Sequence, residues 1–155
     1  GLSLSKINLD LKISVASRVR LVSDEGPGRP GNPMVKVKRA YEEPGAADGQ
    51  RILVDRLWPR GVSKTEARLS AWLKDLAPSD ELRRWIHHNP ERWPEFHRRY
   101  VEELEAPEKV ELIQDLLARA RRETVTLVFS ARDRERNNAV VLKSFLEERL
   151  GAASG

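Results

Sequence analysis

The residues best suited to chemistry are concentrated in Asp55-Arg56-Leu57-Trp58-Pro59-Arg60-Gly61, followed by Lys64. Arginine binds phosphate or carboxylate through a planar fork and keeps its charge at all accessible pH. Pro59 and Gly61 stiffen and turn the chain between the cations, so Arg56, Arg60 and Lys64 could hold an anion on one loop. Trp58 stands among them as a ring able to cover a bound base or sugar. A second cluster, Ser130-Ala131-Arg132-Asp133, leads to Asn137 and Asn138. Asp133 could act as a general base or hold a ribose hydroxyl, and it could equally cap a loop or helix. Asp55 and Asp75 offer further carboxylates, either for hydrogen bonding and proton transfer or as structural partners of the cations. Arg132 and Asn137 complete the candidate ligand contacts, although Asn137 and Asn138 read first as N-caps. Ser130 lacks the Gly-x-Ser-x-Gly context of a nucleophile elbow.

Other chemistries find less support. The chain has no cysteine, which excludes disulfides, thiol catalysis and cysteine-based metal sites. Its histidines are His87, His88 and His97, with no HExxH-like spacing, and adjacent helical histidines point about 100° apart. No metal site is therefore expected. A haem or metal ligand at His88 or His97 is the weakest alternative, and no residue pattern assigns a cofactor. The formal charge is +4 from 28 Lys and Arg against 24 Asp and Glu. Residues 1–33 hold half of that excess, which argues against a dedicated nucleic-acid binder. A nucleic-acid-associated module would use Arg98, Arg99, Arg119, Arg121 and Arg122, provided they share a face.

These groups need elements to position them. Met34–Lys38, Arg51–Val54 and Thr124–Phe129 are strand-forming runs, and the last is apolar enough to be covered on both faces. Ala71–Leu76 fits either strand or helix. Ser79 caps a helix over residues 80–88, and Pro90 opens the next, on which Trp93, Phe96, Tyr100 and Leu104 form an apolar stripe. Pro107 opens a third helix with Val110, Ile113, Leu117 and Ala120 inward. A last helix runs from about Asn138 to Leu150 and stops at Gly151. Helices between strands imply crossovers, hence an α/β domain with a mainly parallel sheet flanked by helices. Ligands in such sheets gather beyond the carboxyl ends of the strands, so neighbouring parallel strands would bring both polar clusters to one rim.

The boundaries follow from composition. Met34, the only methionine, follows a Gly- and Pro-rich run from Gly26 to Pro33 that reads as a linker. Ile7, Leu9, Leu11, Ile13 and Val15 alternate as in an edge strand, although a leader is the favoured reading of residues 1–33. The domain then spans residues 34–151, with a tail at 152–155. No run approaches the roughly 18 apolar residues of a membrane-spanning helix, and no membrane partner is expected.

Three segments carry a resemblance. They are Asp55-Arg56-Leu57-Trp58-Pro59-Arg60-Gly61-Val62, Trp72-Leu73-Lys74-Asp75-Leu76-Ala77-Pro78-Ser79, and Leu82-Arg83-Arg84-Trp85 through His88 and Pro90. Together they resemble the YeaO-like branch of the bacterial domain-of-unknown-function 488 family, over about Val35 to Leu150. Asp133 to Ala139 is also similar, with Arg136 or Asn138 where a histidine is often found. The resemblance implies a small cytoplasmic α/β domain of Rossmann-like character and supplies no reaction. The function expected is binding of a small anionic ligand, a nucleotide or another phosphorylated metabolite, in a protein that could be an enzyme.

Overall fold

Four strands make one sheet: β1 (Val35–Arg39), β2 (Gln50–Leu53), β3 (Ala71–Trp72) and β4 (Val125–Phe129). The computed structural model describes residues 34–154, so the expectations for residues 1–33 lie outside the described residues. The strand order is β1-β4-β2-β3, and every pairing is parallel. Val35 to Arg39 pair with Val125 to Phe129, while Gln50 to Leu53 pair with Val125 to Val128. β4 lies between two partners and all five of its residues are buried, as its apolar run requires.

Side-chain alternation divides the sheet into two faces. Val35, Ile52, Val54, Val125, Leu127 and Phe129 join the main core with the helices. Those helices are α2 (Asp80–His88), α3 (Trp93–Leu104), α4 (Val110–Arg122) and α5 (Asn138–Ser154), preceded in the chain by a short α1 (Lys64–Ala67). On the other face Ala40, Leu53 and Val128 form a small cluster with Trp58 and Leu69. The fold is thus a small α/β domain with an all-parallel sheet, and the connection from β2 to β3 helps cover its second face.

The expected caps are made. Ser79 Oγ accepts from the Leu82 N–H at 3.1 Å, and the same serine donates through N and Oγ to Glu103 at 2.9 and 2.6 Å, tying α2 to α3. Pro90 and Pro107 open 3-10 turns, Pro90–Arg92 and Pro107–Lys109, rather than the helices themselves. Ala71–Leu76 is both of its alternatives in succession, a two-residue strand followed by a 3-10 turn over Lys74–Leu76.

Two expectations need correction. Val110 is 51% exposed, and the buried stripe of α4 is Ile113, Leu116, Leu117 and Ala120. That set already satisfies the i, i+3, i+4, i+7 spacing, and Val110 falls one turn before it. Gly151 does not stop α5, which continues to Ser154. A helical glycine costs only about 1 kcal/mol against alanine, and no proline follows to break the helix.

The link from β1 to β2 passes the second face through a 3-10 turn, Ala46–Asp48. Thr126 Oγ1 donates to the Asp48 carbonyl at 2.7 Å, and Lys36 Nζ donates to Ala47 O at 3.2 Å. Gly49 permits the approach: its φ is +63°, and a Cβ there would lie 2.1 Å from Thr124 O.

Candidate functional site

β2 and β4 are parallel neighbours, so the two polar clusters emerge on the same rim. Pairing continues past the strands, with Val54 N donating to Val128 O at 3.1 Å and Ala40 N to Phe129 O at 2.7 Å. Asp55 joins the two clusters. Its Oδ2 accepts from Ser130 N at 2.9 Å and Ser130 Oγ at 2.7 Å, and its Oδ1 accepts from Asn138 Nδ2 at 3.1 Å. Asn138 Nδ2 also donates to Val54 O at 3.0 Å. Asp55 therefore latches the end of β2 to the end of β4 and the start of α5. Beneath it, burial and the nearby negative charge of Asp55 and Glu103 push the Tyr100 phenol far up, and its O–H donates to Leu76 O at 2.6 Å.

The loop after Asp55 is held in a defined shape. Val62 N donates to Pro59 O at 3.3 Å across Arg60 and Gly61, and Gly61 has φ +80°, the pattern of a type II turn. Trp58 Nε1 donates to Val62 O at 2.6 Å, and the indole packs on the second face of the sheet. Packing thus accounts for much of Trp58. Its ring lies 5.4 Å from that of Trp72 in an edge-on arrangement, and Trp72 Nε1 donates to Asp55 O at 2.7 Å. On the other side Tyr41 Oη donates to Arg60 O at 3.0 Å. Arg39 completes the frame: its guanidinium lies 4.9 Å from the Tyr41 ring centroid, and it donates to Ala131 O at 2.8 Å and Ser130 O at 3.1 Å.

Loops following β1, β2, β3 and β4 therefore meet around residues 55–62. Among the described residues, the exposed large apolar side chains are Tyr41, Leu57, Trp72 and Val110. The first three belong to this meeting point, with Leu57 the most exposed at 64%.

The candidate cations occupy the same region. Arg56 is half-buried, 3.7 Å from Asp80 through its Nε, and that buried Nε has no hydrogen-bond acceptor. Asp80 is shared with Arg83 at 3.2 Å. Arg60, Lys64 and Arg132 are exposed and make no ion pair among the described residues, and Lys64 starts α1 behind its Ser63 cap.

The carboxylates have other employment. Asp133 Oδ1 accepts from the N–H groups of Glu135 and Arg136 at 2.9 and 3.0 Å, and those bonds hold its carboxyl below the usual range against a small opposing effect of burial. Asn137 is buried and caps α5, accepting from Val140 N at 2.9 Å and donating to Asp133 O at 2.9 Å. Asp75 is exposed on the turn after β3, where its carbonyl accepts from Lys109 Nζ at 2.6 Å. No bond joins Asp75 or Asp133 to Asp55.

Sequence reasoning missed Tyr41, Trp72, Arg39 and the latch made by Ser130 and Asn138. Two of these carried a signal. Ser130 follows a buried strand directly, and Trp72 is a large ring in a strand of two residues.

The alternative sites fare differently. Arg98 and Arg99 pair with Glu95 and Glu102 along α3, and Arg119 pairs with Asp115 on α4. His87 and His88 are exposed with rings 5.4 Å apart, and among the described residues no group of three His, Asp or Glu stands in metal-ligating reach. Among the described residues no helix is long and apolar enough to cross a membrane.

Comparison with known proteins places this architecture. The profile of the DUF488-N3i family, described as the inactive DUF488-N3 subclade, matches residues 34–154. Uncharacterized protein Rv3073c of Mycobacterium tuberculosis is 45% identical over 115 residues, covering 74% of this chain and 95% of that protein. Uncharacterized protein YeaO of Escherichia coli is 38% identical over 113 residues, covering 72% and 96%. No solved structure matches the chain significantly. The loop Asp55–Val62 and the strands that hold it lie within the matched span, and the chain belongs to the DUF488 family, among its YeaO-like members.

Proposed function

We propose that this protein binds a small anionic ligand carrying a planar ring, of the nucleotide class, at the carboxyl-end rim of its sheet. One observation carries the reading: Tyr41, Leu57 and Trp72 are exposed beside the loop where, among the described residues, Arg60 has no ion pair and Arg56 meets only Asp80, at 3.7 Å and shared with Arg83. Exposed rings stack on bases, and unneutralised guanidinium forks take phosphate. Arg56 and Arg60 would hold the anion, with Lys64 and Arg132 adding charge and Trp72 or Tyr41 supplying the ring face. Trp58 would support that surface from beneath, and Asn137 would act through the α5 cap.

Binding without turnover is the better-supported form. Asp55 already accepts three hydrogen bonds and Asp133 two, so both carboxylates are engaged in holding the loops of the rim together. The name of the matched subclade points the same way. A nucleic-acid surface on Arg98, Arg99, Arg119, Arg121 and Arg122 has less support, because three of these five are paired with carboxylates on their own helices.

The test is thermal unfolding with adenosine 5′-monophosphate, ribose 5-phosphate, adenosine or inorganic phosphate at constant ionic strength. A ligand at 100 times its Kd adds about 2.7 kcal/mol. The nucleotide is expected to raise Tm most, and Arg60→Ala to remove most of the rise while leaving the ligand-free Tm in place. Absence of a shift with every phosphorylated compound would overturn the reading.

A further inference from the structure

We propose a second site, between α3, α4 and α5, that takes an amphiphilic carboxylate with a medium-length acyl chain. A cavity of about 540 Å³ opens there, within the range of small-molecule sites. Its apolar wall is Val110, Ile113 and Leu117 on α4, with Phe145 on α5 and Leu104 at the end of α3. Val110 is the exposed large apolar residue that does not belong to the rim. It lies one turn beyond the buried stripe of α4, so the apolar face runs out of the core and along the cavity.

Charge selects the ligand's head. Arg149 is paired with Glu105 at 3.5 Å and Glu148 at 3.9 Å and stacks on Phe145, its guanidinium carbon 3.5 Å from the ring centroid. Arg121, at the other end of the α4 wall, is exposed and has no ion pair among the described residues. Arg149 is thus matched by its two glutamates, and Arg121 is the lining cation left to meet an anionic head. From Arg121 back to Val110 is eleven residues, about 16 Å of helix. A carboxylate at Arg121 would lay an acyl chain over Leu117 and Ile113 and end it against Val110.

The probe is dodecanoate below its micellar concentration, titrated calorimetrically into the full chain and compared with dodecylamine. Saturable one-to-one binding is expected, weakened about tenfold by Arg121→Glu, the size of one charged hydrogen bond, and at least as much by Val110→Asp. Both positions are exposed, so each variant should keep the wild-type Tm. Dodecylamine should bind more weakly than dodecanoate. Equal binding of the two amphiphiles, insensitivity to Val110→Asp, or no saturable binding would overturn the site. So would a concentration-dependent dimer that Val110→Asp dissolves, since the groove would then belong to a second copy of the chain.

Discussion

Two cation clusters lie along β2 and its continuation, and they are handled in opposite ways. Near the start of the strand, Arg51 and Lys38 share Asp48 at 2.8 and 3.1 Å, with the Arg51 and Asp48 side chains only 4% and 5% exposed. Beyond its end, Arg56 lies 3.7 Å from a carboxylate already held by Arg83, and Arg60 has none among the described residues. Burial explains the first arrangement, because a charge removed from water must be paired. Exposure permits the second, and its place beyond the strand ends is where parallel sheets bind ligands. Neutralised cations hold the chain, and the open ones are those the proposed function assigns to a ligand.

The largest effect should come from the paired cluster. Asp48→Asn leaves Arg51 and Lys38 without a countercharge and should cost about 3 to 5 kcal/mol, measured by urea unfolding at neutral pH. Burial raises the Asp48 pKa, but bonds from Gly45 N–H, Lys38 and Arg51 outweigh it and leave the folded value below the ordinary 3.8. A depressed carboxylate contributes fully above its unfolded pKa and loses that contribution as pH falls through its folded one. The variant should therefore show a flatter loss of stability below about pH 4 than the wild type. A wild-type acid limb would mean that Asp48 does not neutralise the cluster.

Asp55→Ala comes next. It strands the Ser130 N–H and hydroxyl and leaves the Asn138 amide with Val54 O alone, and about 2 to 3 kcal/mol should be lost in the same unfolding assay. At the rim the effect should move from stability to affinity. Arg56→Ala or Arg60→Ala should weaken nucleotide binding about tenfold and change unfolding by no more than about 0.5 kcal/mol. An Arg56→Ala variant that lost stability and affinity together would return Arg56 to the structural class. The smallest effect belongs to the exposed Arg98–Glu102 pair at 3.2 Å on α3, where Glu102→Gln should cost about 0.3 to 0.5 kcal/mol and vanish in high salt.

Elements with local causes are legible in the sequence. The buried run of β4, the Ser79 cap and the stripe Phe96, Tyr100 and Leu104 each follow from spacing that one segment contains. Neighbouring parallel strands imply that Asp55 and Ser130 gather at one rim, and the pairing of β2 with β4 brings them there. The features that escape depend on distant partners. Trp58 packs on Leu53 and Val128, and Val110 lies outside a stripe whose phase is set by the whole core. Asp133 offers several roles from its position alone, and only the neighbouring N–H groups show it as a cap. Tyr41 and Trp72 are tied to the cationic loop by the bonds to Arg60 O and Asp55 O and by the Trp58–Trp72 ring contact, which no local pattern announces.

Heteronuclear NMR during a titration with adenosine 5′-monophosphate tests the rim most directly. The indole N–H of Trp72, the backbone amides of residues 56–62 and the Arg56 and Arg60 side chains should shift together along one saturable curve, while the amides of Asp48 and Arg51 stay in place. Shifts absent from the 56–62 loop, or spread evenly over the arginines of α3 and α4, would contradict a nucleotide site on this rim.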